Sequence, residues 1–104
     1  MGAAGVKGYL DPVVLAVLST GPLHGYAVIE ELKARSGGEL DLPEGTVYPA
    51  LHRLENRGLL KSSWSRAEGR RRRVYRLTAG GRRELEARTQ EWRTFARVVD
   101  GVLA

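Results

Sequence analysis

Glycine and proline breaks at Gly21-Pro22, Gly37-Gly38, Pro43, Gly58 and Gly69 cut the chain before residue 78 into short pieces, none long enough for an extended helix. The character of each piece is then set by its own apolar period. Asp11-Pro12 followed by the six apolar residues Val13 to Leu18 reads as an N-cap, a proline at the first helical position and a helix apolar on nearly every side. Such a helix must be covered on most of its faces. A second helix, opened at Gly25 and closed by Gly37-Gly38, carries Val28, Ile29 and Leu32 on one stripe. Between Glu39 and Leu42 the alternation of Leu40 and Leu42 predicts a one-rung strand.

Pro43-Glu44 opens a third helix with a proline and an acid in the first turn, where the helix dipole favours them. Val47, Leu51 and Leu54 fall at i, i+4 and i+7, which leaves Thr46, Tyr48, Pro49, His52, Arg53 and Asn56 off the buried stripe. Proline in a helix interior costs about 3 kcal/mol, a penalty reduced for Pro49 by its nearness to the helix start. After Gly58, Leu59 to Ser65 and Arg72 to Leu77 read as two strands around a turn over 66–70, with Gly69 in the turn and Tyr75 and Leu77 on the core side. Thr78 then caps a long helix to Val102, in which Leu85, Trp92, Phe95, Val99 and Val102 recur at spacings of 7, 3, 4 and 3. That is a coiled-coil-like seam, suited to a partner helix.

The chain has 17 Lys+Arg against 12 Asp+Glu, a net charge of +5. The window from Arg66 to Arg76 holds six arginines and one acid, so it carries the whole +5 and the remainder balances at zero. A basic patch this local favours a polyanionic partner, nucleic acid before an anionic membrane surface. Taken alone, Arg70 to Arg73 could equally be a solvated loop or a localisation-type cluster.

Other functions lack the residues they need. With no cysteine there is no disulfide framework or thiolate metal site, and His24 and His52 stand apart without further ligands, so neither metal nor cofactor is expected. No nucleophile, base and orienting group fall into a recognisable catalytic set, and no phosphate loop occurs. The longest apolar run is six residues, where a membrane span needs about 20. The N-terminus lacks the build of a signal peptide, and a cytoplasmic location is expected.

Two helices joined by a short connection, with a polar outer face on the second and a basic hairpin next, form the layout of a winged helix-turn-helix. A helix fits the major groove, its polar side chains read base edges, and an arginine-bearing hairpin reaches phosphates or the adjacent minor groove. On this reading Thr46, Tyr48, Pro49, His52 and Arg53 face double-stranded DNA, with Tyr48 suited to a phosphate, and Arg70, Arg71, Arg72 and Arg73 form the wing's contact. His24-Gly25-Tyr26 begins the second helix, where free N–H groups can hold a phosphate; a helix-start packing motif is the competing reading. Trp64 is expected to cover the outer face of the hairpin.

The residues Gly21-Pro22-Leu23-His24-Gly25-Tyr26, then Glu44-Gly45-Thr46-Val47-Tyr48-Pro49-Ala50-Leu51-His52-Arg53-Leu54-Glu55, then Gly58-Leu59-Leu60 and Tyr75-Arg76-Leu77-Thr78 closely resemble the PadR family of bacterial transcriptional regulators. The likeness covers about residues 10 to 81 by motif, and GTVYPALHRLE is its most specific piece. It implies a homodimeric repressor that places the third helix of each subunit in the major groove of a pseudo-palindromic operator. It also implies release from DNA on binding a small, often aromatic, molecule. Because only one long helix follows the wing, the chain looks like the short subfamily, whose dimers form through that helix and the first one. That implication adds Leu10, Val14 and Leu103 to Leu85, Trp92, Phe95, Val99 and Val102 as interface candidates, with Trp92 the candidate effector contact.

The expected organisation is mainly α with a small β-hairpin. A flexible N-terminal arm over 1–9 precedes a winged helix-turn-helix over 10–77 and a C-terminal dimerisation helix over 78–104. Two rival readings share this fold: a DNA-binding repressor or architectural factor without an effector, and a winged-helix adaptor that binds protein.

Overall fold

The computed structural model describes residues 8–67 and 69–104. The elements run α1 (Leu10–Leu18), β1 (Leu23–His24), α2 (Gly25–Arg35), α3 (Glu44–Asn56), β2 (Leu60–Ala67), β3 (Arg70–Leu77) and α4 (Ala79–Leu103). This is a mainly helical winged helix-turn-helix with a long C-terminal helix, as the pattern of breaks predicts. Residues 1–7 of the expected arm lie outside the described residues. Tyr9, assigned to that arm, instead holds the N-cap position of α1 and packs edge-on against Trp92 at 4.9 Å between ring centroids.

The short helices close on one core. Val14, Leu15, Val17 and Leu18 of α1 meet Val28, Ile29 and Leu32 of α2 and Val47, Leu51 and Leu54 of α3. Burying each of the larger side chains contributes about 1.5–3 kcal/mol. Val14 is 0% exposed, which corrects its assignment to a dimer interface. A helix apolar on nearly all sides gives no sequence signal for which valine faces inward. Asp11 is likewise not the N-cap: it lies inside the first turn of α1, and its carboxylate pairs with Arg53 and Arg57 instead.

The sheet is antiparallel, in the order β1-β3-β2. The expected strand over 39–42 does not form. Leu42 is buried from a loop, so the alternation there reflects loop packing rather than a ladder. The short strand is Leu23–His24, paired with Tyr75 and Val74. It covers the outer edge of β3 at Val74 and Tyr75, while Arg70 to Arg73 are paired with β2 alone.

The hairpin strands run closer to the tip than the sequence suggests. Ala67 pairs with Arg70, and Gly69 takes φ 75° in the reversal. Arg70 and Arg71 therefore belong to the ladder and not to a loop. Tyr75 is 1% exposed and anchors β3 to the core, with Leu77 packed beside it.

The start of α4 is locked to the end of α3. Thr78 accepts the Gly81 N–H at its hydroxyl and donates to the Gly58 carbonyl at 2.7 Å. A Cβ on Gly81 would lie 2.1 Å from the Leu59 carbonyl oxygen, so only glycine lets the helix seat here. Beyond this joint α4 runs past α1 as far as Trp92 and Phe95, and the molecule reaches 54 Å in its longest dimension.

Candidate nucleic-acid interface

On α3, Val47, Ala50, Leu51 and Leu54 are buried, and this fixes what the opposite side presents. Pro49, His52, Arg53 and Asn56 are exposed, while Thr46 and Tyr48 are half-buried. Pro49 sits inside a helix that stays continuous from Glu44 to Asn56.

Tyr48 reaches across to the start of α2. A Cβ built on Gly25 would stand 2.3 Å from Tyr48 Cε1, so the phenol lies on bare backbone at that position. Burial, then the Glu44 carboxylate and Tyr26, hold the Tyr48 phenol above its ordinary pKa of 10.0. It is thus a protonated O–H donor at physiological pH. Tyr26, 52% exposed, stands on the first turn of α2 beside it.

Between these tyrosines and the wing runs a groove of about 540 Å³, lined also by His24, Glu30 and Arg70 to Arg73. The structure thereby brings together Tyr26, Tyr48 and the four arginines, residues up to 47 positions apart in the chain. Thr46, Pro49, His52 and Arg53 are not part of the groove lining.

The arginines are not equivalent. Strand alternation and register place Arg71 and Arg73 on the face of Trp64 and Tyr75, and Arg70 and Arg72 on the other. Arg73 donates from Nε to Ser62 Oγ at 2.8 Å and lies 3.8 Å from the Glu55 carboxylate. Arg71 lies over the Trp64 ring, 4.4 Å from its centroid. Arg72 Nη1 meets His24 Nε2 at 2.8 Å, while His24 Nδ1 accepts the Ala27 N–H at 3.3 Å and caps α2. A neutral imidazole has one acceptor nitrogen, so it cannot accept from both donors at once. Arg72 is accordingly held by a contact that competes with the helix cap.

Arg53, exposed on α3, also has a partner within the chain. Its guanidinium donates to Asp11 at 2.6 Å, so it braces α3 against α1 rather than pointing freely outward. Sequence reasoning also passed over His24 as a contact of the wing, and over Gly25, Glu55 and Ser62 as supports of the site. Strand parity could have separated Arg71 and Arg73 from Arg70 and Arg72. Nothing in the sequence marks the distant partners.

A second feature lies on the far side of α1. Tyr9, Val13, Leu85, Trp92 and Phe95 line an apolar cleft of about 590 Å³ between α1 and α4, with Arg88 and Glu91 also in its lining. Further along α4, Val98, Val102 and Leu103 are 59%, 81% and 77% exposed, whereas Val99 is half-buried. So many exposed apolar side chains along one helix are unusual for a surface that meets only water. Among the described residues no helix is long and apolar enough to cross a membrane, and no group of three or more His, Asp or Glu is placed to hold a metal ion.

Comparison with known proteins agrees with this arrangement. The Transcriptional regulator PadR-like family model matches residues 14–87. The transcriptional regulator Rv3488 of Mycobacterium tuberculosis is 43% identical over 79 residues, covering 76% of this chain and 71% of that protein. Among solved structures, a PadR family transcription regulator from Clostridium difficile aligns with TM-score 0.82 at 36% identity, over 93% of this chain and 100% of that one. A transcriptional regulator from Clostridium thermocellum aligns with TM-score 0.85 at 28% identity, over 94% and 96% of the two chains. With the family model over most of its length, a relative at 43% identity and solved regulators that share its fold, the chain belongs to the PadR-like family of transcriptional regulators.

Proposed function

We propose that the protein is a homodimeric, sequence-specific DNA-binding repressor in which α3 enters the major groove and the hairpin grips the phosphate backbone. The observation that carries this reading is the single groove in which Tyr26, Tyr48 and Arg70 to Arg73 converge. Phenol and guanidinium donors on one concave wall suit phosphate oxygens, while the exposed His52 of α3 is left to read base edges. Two such subunits related by a two-fold axis fit a pseudo-palindromic operator with half-sites about 34 Å apart.

The apolar strip on α4 supports the dimer, and the cleft supports an effector. Its volume lies in the range of small-molecule sites, and its aromatic lining by Tyr9, Trp92 and Phe95 suits a planar aromatic ligand. Such a ligand would act by favouring one mutual orientation of the two α4 helices over another. It shifts the equilibrium only by its difference in affinity for the two.

The test is a salt titration of duplex-DNA binding with wild-type protein and with the Arg71→Ala, Arg72→Ala double variant. Each phosphate neutralised contributes about 0.9 to the slope of log affinity against log salt. The double variant should bind all sequences more weakly and with a shallower slope; an unchanged slope rejects the wing as the backbone contact.

A further inference from the structure

Trp64 is 54% exposed at the middle of β2, an unusual place for so large an apolar surface on a hairpin. It stands directly opposite Arg73 and diagonally from Arg71, which pairs with Arg66, so all of them share one face of the ladder. The guanidinium carbons of Arg71 and Arg73 lie 4.4 and 5.4 Å from the centroid of its ring.

The two arginines use the ring differently. Arg73 is already committed to Ser62 and Glu55. The Arg71 side chain makes no hydrogen bond or ion pair among the described residues, and the indole face is the contact that orients it. A cation–π contact engages the flat face of a guanidinium and leaves its five N–H donors unspent. An ion pair would orient the side chain as well, but it would neutralise the charge and occupy the donors.

We propose that Trp64 is a positioning residue for DNA binding: it holds Arg71 in place for a phosphate without itself contacting DNA. The inference rests on the reading of the wing as the backbone grip. Its physical basis is preorganisation. An arginine side chain that is already ordered loses less freedom when it meets the phosphate, so affinity rises with no added contact.

The experiment is a double-mutant cycle on the full chain, binding a mixed-sequence DNA duplex, with W64A, R71A and the W64A/R71A pair, and with W64F as the conservative variant. Loss of one exposed cation–π contact corresponds to about a two- to fivefold weakening. W64A should show that loss with an unchanged salt slope, because the number of neutralised phosphates stays the same, and W64F should recover part of it. In the R71A background, W64A should have no further effect. The same loss from W64A in both backgrounds overturns the proposal, because the indole would then touch DNA itself or support the hairpin as a whole. R71A with wild-type affinity and slope overturns the reading of the wing on which the proposal rests, a separate result from the first.

Discussion

Arg53 Nη2, on the exposed side of α3, lies 2.6 Å from Asp11 Oδ1 at the start of α1. From there ion pairs lead outward: Asp11 is 3.6 Å from Arg57, Arg57 is 3.6 Å from Glu84 on α4, and Glu84 takes Arg88 at 3.0 Å. Arg88 and the neighbouring Glu91 belong to the lining of the apolar cleft. The helix proposed to read DNA and the cleft proposed to hold an effector are thus joined by one chain of charges.

Asp11→Asn tests what that chain restrains. Partly exposed pairs of this kind contribute about 0–1 kcal/mol, so the melting temperature should fall only slightly. Two guanidiniums would lose their carboxylate, and Arg53 stands on the face proposed to meet DNA. Affinity for duplex DNA should rise and its salt slope steepen by about 0.9, the value for one additional phosphate. Weaker binding would mean that the brace is needed to hold α3 in its reading position.

Gly25→Ala addresses the seat of Tyr48. The added methyl carbon would stand 2.3 Å from the ring, so the phenol must be displaced. Overpacking of this kind costs about 1–3 kcal/mol, and DNA affinity should fall with it. In a Tyr48→Ala background the obstacle is gone. There the same substitution should be neutral or stabilising by about 0.5–1 kcal/mol, the ordinary gain of alanine over glycine in a helix. Chemical denaturation of the four proteins measures both signs; equal destabilisation in both backgrounds would place the conflict elsewhere.

The fold was legible because its signals are local. Gly58 ends α3, Pro43 begins it, and the alternation of Tyr75 and Leu77 sets which side of β3 faces the core. The partners of the arginines were not legible, because they are set by contacts across the chain. Asp11 is 42 residues from Arg53, and His24 is 48 from Arg72. Four consecutive arginines look interchangeable in the sequence. Strand alternation then sends two to each face, and Glu55, Trp64 and His24 give Arg73, Arg71 and Arg72 separate tasks.

The phenols predict an alkaline limit on stability. Burial is the largest cause raising Tyr48 and Tyr75 above the ordinary 10.0; Arg73 opposes it at Tyr75, while Glu55 and Tyr48 add to it. Each folded phenol keeps its proton where the unfolded chain has released it, so the unfolded state binds fewer protons above pH 10. The stability they contribute is fully present below that value and is lost as pH rises through the folded one. The urea midpoint should therefore be insensitive to these groups between about pH 8 and about pH 9.5, and should fall above about pH 10. Tyr75→Phe should flatten that fall, and a fall of undiminished steepness would assign it to other groups.

Phe95→Glu tests the proposed dimer seam. Phe95 is 55% exposed in the single chain and lies 6.4 Å from Trp92 between ring centroids, within the apolar strip that continues to Val102. In an isolated subunit a glutamate there stays in water, so the winged domain should keep its helical circular dichroism. In a helix-to-helix seam the same carboxylate would be buried without a partner, at a cost of several kcal/mol. Light scattering should then report a monomer, and affinity for a two-half-site operator should drop to that of one half-site. Val14→Glu supplies the contrast: Val14 is 0% exposed inside the domain, so its replacement should unfold the chain rather than divide the dimer. An intact, folded Phe95→Glu dimer would place the interface away from this strip.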